Sequence, residues 1–513
     1  MLKKRTVLIV LLVVGCFGIA YRELNGQPAR VHRFSPRIKH VVVIVQENVS
    51  FDHYFATYPR AVNPTGDPAF VARPGTPSVN GLTDGLISSN LNSTKPFRLD
   101  RSRLLLCNPS PYYPFEQGAY HAGLLDRFPE GTGQTANTNP PCEFGRGPGV
   151  VMGYYDGNTV TAIWNYAQNF AMSDNFFGTT FGQSAPGHIN LVSGQTHGTM
   201  VVKAAADLDL AVAEGTLIGD TAAAFDDCDT TGRSQVAMTG TNVGDLLNAK
   251  GVTWGFFSGG FAPTSRNPDG TAVCGSSHTA TTGVSVPDYN TAAPFQRYAS
   301  TANTHHLPPA SASMIGYSDQ ANHQYDLNNF WDAATSGNLP AVSFLKPPNY
   351  QNGKAQVSNA LDEQAFLVGT LNRLQVLSEW QSTAVFITWD DSGGWYDHVM
   401  PPLVNQSNTK VDALTGPGAC GTASPGAYQG RCGYGPRMPL LVISPWAKVN
   451  FVDHSLTDQT SILRFIEDNW DLGRIGDQSF DERAGSLMNV FDFRWPGARN
   501  LFLDPVTGQP STR

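Results

Sequence analysis

The segment from His40 to His53, HVVVIVQENVSFDH, constrains this chain more than any other: five β-branched apolar residues in succession run into Glu47, Asn48, Ser50 and Asp52. A continuous apolar run of that length suits a strand buried on both faces, and a parallel sheet covered by helices buries a strand in that way. The polar cluster then falls at the strand's carboxyl end, where open α/β sheets form their ligand sites. A carboxylate and an amide delivered there by a rigid strand read as ligands, although an ordinary strand followed by an Asx-rich turn would carry the same letters.

Further short apolar strands are predicted at Val252 to Ser258, Ala341 to Leu345, Ala384 to Trp389 and Pro439 to Ser444. Between them the spacing of apolar residues predicts helices at Asn158 to Phe170, Asn242 to Lys250, Leu361 to Trp380 and Asp458 to Leu472, the last capped by Asp458 and stopped by Gly473. A helix is also expected between Phe115 and Phe128, inside a Pro-, Gly-, Ser- and Asn-rich excursion from Asn63 to Gly149 over the top of the sheet. Helices alternating with fully apolar strands argue for an α/β fold, a three-layer αβα sandwich with a mostly parallel central sheet and long loop insertions. A separate unit between Cys228 and Asn303 is a further possibility.

At the N-terminus, Lys3, Lys4 and Arg5 precede an apolar stretch from Val7 to Tyr21 that is too short for a comfortable membrane span and reads as an export signal. Val13-Val14-Gly15-Cys16 resembles a lipoprotein signal, with Cys16 as the lipidated residue; cleavage near Ala20 or retention as an anchor are the alternatives. The expected organisation is a signal over 1–21, a linker over 22–37, a catalytic domain over 38–495 and a tail over 496–513. With 34 basic against 42 acidic residues and no basic block, a nucleic-acid partner is excluded, and membrane contact is expected only through the N-terminal segment. Besides Cys16, six cysteines remain in a chain of exported type. That number implies disulfides, and sequential pairing is expected because each pair brackets a Gly/Pro/Thr-rich loop: Cys107 with Cys142, Cys228 with Cys274, Cys420 with Cys432.

Three more stretches carry chemistry. In Phe386 to Pro402, FITWDDSGGWYDHVMPP, a second apolar strand ends in Asp390-Asp391, with His398 further on. Adjacent carboxylates that stay ionised need a counter-charge, and a divalent metal held by oxygen ligands supplies one; a turn cap beside a solvated Asp is the blander reading. Ser184, in GQSAPGH, follows an apolar segment and two glycines; it is not a G-x-S-x-G elbow because Pro186 replaces the second Gly, and a serine in a turn would look the same. His305-His306 lies in a Pro-bounded loop, where a histidine either meets an anionic substrate or is simply solvated. His188 would orient the Ser184 loop.

Taken together, ENVSFDHYF, SDNFFGTTFGQSAPGHINLVSG, THHLPP, NHQYDL, LPAVSFLKPPNYQNGKA, TWDDSGGWYDHVMPP, GPRMPLLVISPWAK and DHSLTDQTSILRFIEDNW resemble the bacterial phosphoesterase family of phospholipases C and related acid phosphatases, from about Ile38 to Trp495. The resemblance implies an alkaline-phosphatase-like α/β fold and one or more divalent metal ions. It implies Glu47, Asn48, Ser184, Asp390 and Asp391 as metal ligands, Ser184 as nucleophile, and Asn48, His305 and His306 as substrate contacts, with His398 an added candidate for stabilising or protonating the transferring group. The expected reaction is hydrolysis of phosphate monoesters through a phosphoserine, with phospholipase C action on phosphodiester lipids as the alternative and a lipid-anchored binding protein with an inactive site as the remote one. The partner is thus a phosphorylated small molecule or lipid. The chain departs from the family pattern at Asn108-Pro109-Ser110-Pro111, where an Asp-x-x-His is expected, and at Lys354, where similar chains carry His. Cys107-x-Pro109 approaches the sulfatase signature, but Pro111 stands in the place of its Arg.

Overall fold

Val41 to Val45 are fully buried in the first strand, β1 (His40–Gln46), as the unbroken apolar run requires. The computed structural model describes residues 37–133, 142, 147–229, 232–407, 409–415, 419–497 and 499–512. The export segment with Cys16, and the linker up to residue 36, lie outside the described residues.

Seven further strands complete the central sheet: β2 (Ala171–Ser173), β3 (Trp254–Ser258), β4 (Gln324–Asp326), β5 (Val342–Lys346), β6 (Thr383–Trp389), β7 (Leu440–Ile443) and β8 (Phe451–Asp453). Their order across the sheet is β4-β3-β5-β1-β6-β7-β2-β8. Every pairing from β4 to β6 is parallel, and only β7 runs against its two neighbours, so the mostly parallel sheet expected from the sequence is present. Because β3 is paired between β4 and β5, the interval from Cys228 to Asn303 is part of this sheet and not a separate unit.

The helices are α1 (Phe51–Phe55), α2 (Tyr113–Tyr120), α3 (Thr161–Asn169), α4 (Ser184–Ser193), α5 (Val243–Lys250), α6 (Leu327–Thr335), α7 (Ala360–Leu374) and α8 (Gln459–Trp470), besides shorter turns. They cover both faces. Trp389 of β6 donates its indole N–H to Glu363 of α7, whereas Phe386 of the same strand packs its ring on Phe465 of α8. Residues three apart on a strand point to opposite faces, so α7 and α8 form the two outer layers of the sandwich.

Several helix ends differ from expectation, α3 among them, which starts at Thr161 and not at Asn158. The segment beginning near Phe115 starts earlier, at Tyr113, and stops at Tyr120 because His121 and Ala122 take left-handed backbone angles. The pattern from Leu361 continues to Trp380 on paper, but the α-helix ends at Leu374 and Leu377 is extended. Asp458 caps α8 as read, yet its stop is Asp471 at φ 50°, two residues before Gly473. Beyond this, the C-terminal residues lie along α7, where Asn372 and Gln375 donate to the carbonyls of Leu503 and Leu501.

All three disulfides pair sequentially, as expected. The Cys420–Cys432 bridge closes a separation of 12 residues and both half-cystines are fully buried. In the chain-entropy account a loop of that size stabilises by roughly 3 kcal/mol. The double variant Cys420→Ser/Cys432→Ser is therefore expected to unfold at lower denaturant, and an unchanged midpoint would refute that role.

Candidate active site

The site is built at the carboxyl ends of three adjacent parallel strands, β5, β1 and β6, which end in Lys346, Glu47-Asn48 and Asp390-Asp391. Asn48 takes the left-handed conformation, φ 62°, which an Asn tolerates better than a branched residue, and this turns the chain sharply after β1. Its backbone N–H donates to Asp390 Oδ1 at 2.9 Å and its side-chain amide donates to Asp391 Oδ1 at 2.9 Å. One residue thus ties together the two loops that bear the carboxylates.

Ser184 opens α4. Gly182, at φ +120°, forms the bend before it, where a Cβ would stand 2.7 Å from the carbonyl of Ile218. The Ser184 hydroxyl lies 3.3 Å from Glu47 Oε2 and 3.1 Å from Asp391 Oδ2, buried with both. Glu47 Oε1 meets Lys346 Nζ at 2.5 Å and accepts from Asn290 at 2.7 Å, while Lys354 Nζ sits 3.2 Å from Oε2. His188, one turn along α4, places Nδ1 2.8 Å from the Ser184 carbonyl and 3.4 Å from Asp390 Oδ2.

Charge balance follows from this packing. Burial alone would raise the Glu47 carboxyl, but Lys346, Lys354 and His188 together hold it well below the usual range. Burial and then the Glu47 charge push Asp390 up to about 7, and burial and then Asp390 push Asp391 well above its ordinary value. His188 is held down at about 3 by burial and by Lys346, so it is neutral. Three acidic groups packed this closely exceed what two lysines neutralise, and either protonation of the aspartates or a bound cation would resolve the excess.

The donor set fits a divalent metal. Asp390 Oδ2, Asn48 Oδ1 and His188 Nε2 are buried without a hydrogen-bond partner, and Glu47, His188 and Asp390 bring one ligand atom each to within 4.8 Å of one another. Carboxylate, amide and neutral imidazole donors suit a hard-to-borderline ion. Two other groups of side chains fit one less well. Asp52, Asp397 and His398 already have a counter-ion in Arg437, 3.1 Å from both aspartates, and Cys228 and Cys274 beside His306 are joined in a disulfide.

The structure brings Glu47, Asn48, Ser184, Asp390 and Asp391 together but does not bring the three expected histidines to them. His398 is held at both ring nitrogens, 2.6 Å from Asp52 and 3.2 Å from Asn80. His306 is buried, stacked on Phe261, with its nitrogens 2.8 Å from Asp226 and 2.7 Å from the Phe261 carbonyl. His305 is more than half exposed, 2.9 Å from Asp227. His306 instead supports the site from behind: Asp226 also receives the Tyr289 hydroxyl at 2.6 Å, and the next residue, Asn290, holds Glu47. Of the residues missed by sequence reasoning, Lys346 had a visible signal, a lysine ending an otherwise apolar strand. Asn290 had none.

The sheet and its flanking helices define an α/β protein, with a buried serine hydroxyl among carboxylates at the strand ends. A family model described as the Phosphoesterase family matches residues 38–473, and the chain belongs to that family. The non-hemolytic phospholipase C of Pseudomonas aeruginosa is 23% identical over 488 residues, covering 92% of this chain and 60% of its own length. Phospholipase C B of Mycobacterium tuberculosis is 23% identical over 485 residues, covering 90% of this chain and 78% of its own. The chain therefore spans about three fifths of the first relative's length. A solved protein in the alkaline phosphatase superfamily from Vibrio parahaemolyticus is similar at TM-score 0.28 and 10% identity, covering 61% of this chain and 62% of that one.

Proposed function

We propose that this chain is a metal-dependent hydrolase of phosphoester bonds in which Ser184 is the nucleophile. The observation that carries the proposal is the Ser184 hydroxyl, 3.3 Å from Glu47 Oε2 and 3.1 Å from Asp391 Oδ2 at the ends of the central strands. A divalent ion held by Glu47, Asn48, Ser184, Asp390 and Asp391, with His188 as a further donor, would lower the hydroxyl pKa and polarise the phosphoryl oxygens. With the ion bound, Asp391 would be ionised and its Oδ2, 3.1 Å from the Ser184 hydroxyl, would take the Ser184 proton as the Oγ–P bond forms and the P–O ester bond breaks. That proton, or one from water, passes to the ester oxygen, which leaves as the alcohol, and water then hydrolyses the phosphoserine. Lys354, 3.2 Å from Glu47 Oε2, lines a 460 Å³ cavity with Arg233 and Asn290, and Asn48 and Lys354 would contact the substrate phosphoryl group.

The names of both relatives support phosphodiester lipids as substrates more directly than the monoesters expected from the sequence motifs. Export and the signal, linker and tail assignments belong to the same proposal, supported by three disulfides of the kind found in oxidising compartments. Among the described residues no helix is long and apolar enough to cross a membrane.

The test is turnover of p-nitrophenyl phosphate against phosphatidylcholine, with metal analysis of the same sample. Asp390→Ala and Asp391→Ala are expected to lose both metal and turnover while remaining folded, because losing a buried carboxylate relieves repulsion in the metal-free protein. Metal-loaded protein inert toward every phosphate ester tried would overturn the reading, as would full metal content in both variants.

A further inference from the structure

The three segments that make the site reactive do not hold one another by their own contacts alone. Glu116, on α2 in the long excursion between β1 and α3, reaches into the gap between two of them. Its Oε2 accepts from the Gly182 N–H at 3.0 Å, two residues before the nucleophile, and its Oε1 lies 2.5 Å from Ser392 Oγ, one residue after Asp391. Ser392 Oγ in turn accepts from the Gly394 N–H at 3.0 Å, which fixes the glycine turn leading away from the carboxylates. Glu116 is 1% exposed and Ser392 1% exposed, so water does not compete for either contact.

We propose that Glu116 is a positioning residue of the hydrolytic site, a brace that sets the separation of the Ser184 hydroxyl from Asp391 by holding the loop before one and the turn after the other. The proposal rests on Ser184 being the nucleophile.

The geometry gives the brace its direction. Gly182 has φ +120° and its position admits no Cβ, so the bend before Ser184 has no side chain of its own with which to hold its place. The Asp390-Asp391 loop is tied to β1 through Asn48 on one side, and on the other Glu116 adds a buried link to the Ser184 loop beside the direct Ser184–Asp391 and His188–Asp390 contacts. Both Glu116 oxygens accept, Oε1 from the Ser392 hydroxyl and Oε2 from the Gly182 N–H, while burial pushes the carboxyl up to about 8. A glutamine keeps both links, its carbonyl accepting from Gly182 and its NH₂ donating to Ser392 Oγ, which then accepts where it donated before. An alanine reproduces neither contact.

The experiment measures kcat, KM, bound metal and thermal midpoint for Glu116→Ala, Glu116→Gln and Ser392→Ala, using whichever chromogenic phosphate ester the native protein turns over. Displacement of a nucleophile by about 1 Å costs on the order of 10²-fold in rate, so Glu116→Ala is expected to lose about that much kcat with KM and metal content kept, while Glu116→Gln stays within about threefold of native. Ser392→Ala, which keeps the Gly182 contact, is expected to fall between them. Native kcat in Glu116→Ala overturns the brace. So does a Glu116→Gln protein as impaired as the alanine variant, or loss of metal in step with kcat, which would mark a collapsed site. If Glu116→Ala does not fold, Ser392→Ala decides: reduced kcat at unchanged KM and metal supports the brace, and native kcat overturns it. An active Ser184→Ala protein would sink the nucleophile assignment, whereas an inactive one beside a native-like Glu116→Ala would sink only this inference.

Discussion

Ser184→Ala is expected to cut turnover by about three decades or more and to abolish any phosphoserine trapped by acid quench, with the fold and metal retained. The expectation follows from the position of the hydroxyl, which is buried against two carboxyl oxygens and has no other hydrogen-bond partner among the described residues. Ser193 ends the same helix and is the internal control. Its hydroxyl is occupied by the Ile189 and Gln195 carbonyls and receives the Tyr298 hydroxyl, so Ser193→Ala should cost about 1 kcal/mol of stability and leave the chemistry intact. Near-native turnover in Ser184→Ala would mean that water attacks the ester directly and no covalent intermediate forms.

Gly187→Ala is the second large effect. Helix propensity alone favours alanine over glycine inside α4 by up to about 1 kcal/mol. The local packing reverses that sign, because a Cβ at Gly187 would stand 2.0 Å from the Asp390 carbonyl oxygen and 2.7 Å from its carbon. Neither atom belongs to a flexible side chain. The helix has to withdraw from the strand end, taking Ser184 away from Asp391, at a cost of about 3 kcal/mol in stability and most of the activity. Gly369, inside α7 with nothing within 4 Å of its Cβ position, is the matched control, and Gly369→Ala should stabilise by about 0.5–1 kcal/mol. Denaturant midpoints and kcat for the two variants check this; a Gly187→Ala protein as stable and active as native refutes the close approach.

How much of this was legible depended on whether a residue's role is local. The strands β1 and β6 were readable because full burial leaves a continuous apolar run, and the carboxylates were readable because they follow those runs directly. Roles that depend on who is nearby in three dimensions were not readable. His305, His306 and His398 look chemical in a sequence, yet Asp227, Asp226 and Asp52 engage them, and those aspartates are distant in the chain or unremarkable in context. His188 and Asn290 looked incidental and contact the reactive cluster. The end of α7 was misplaced for a related reason: the apolar spacing goes on past Leu374, but Leu377 turns to extended backbone there, leading into β6.

The hydrogen bonds of Asn48 to Asp390 and Asp391 join residues 342 and 343 positions apart. Reactive groups drawn from positions 47 to 391 of 513 meet only after about three quarters of the polypeptide has been synthesised. A nascent chain that stops before Asp390 has the serine and Glu47 but no second carboxylate loop to face them. Under the proposed function such a chain would stay inert toward phosphate esters until the Asp390-Asp391 loop has been made and folded against it.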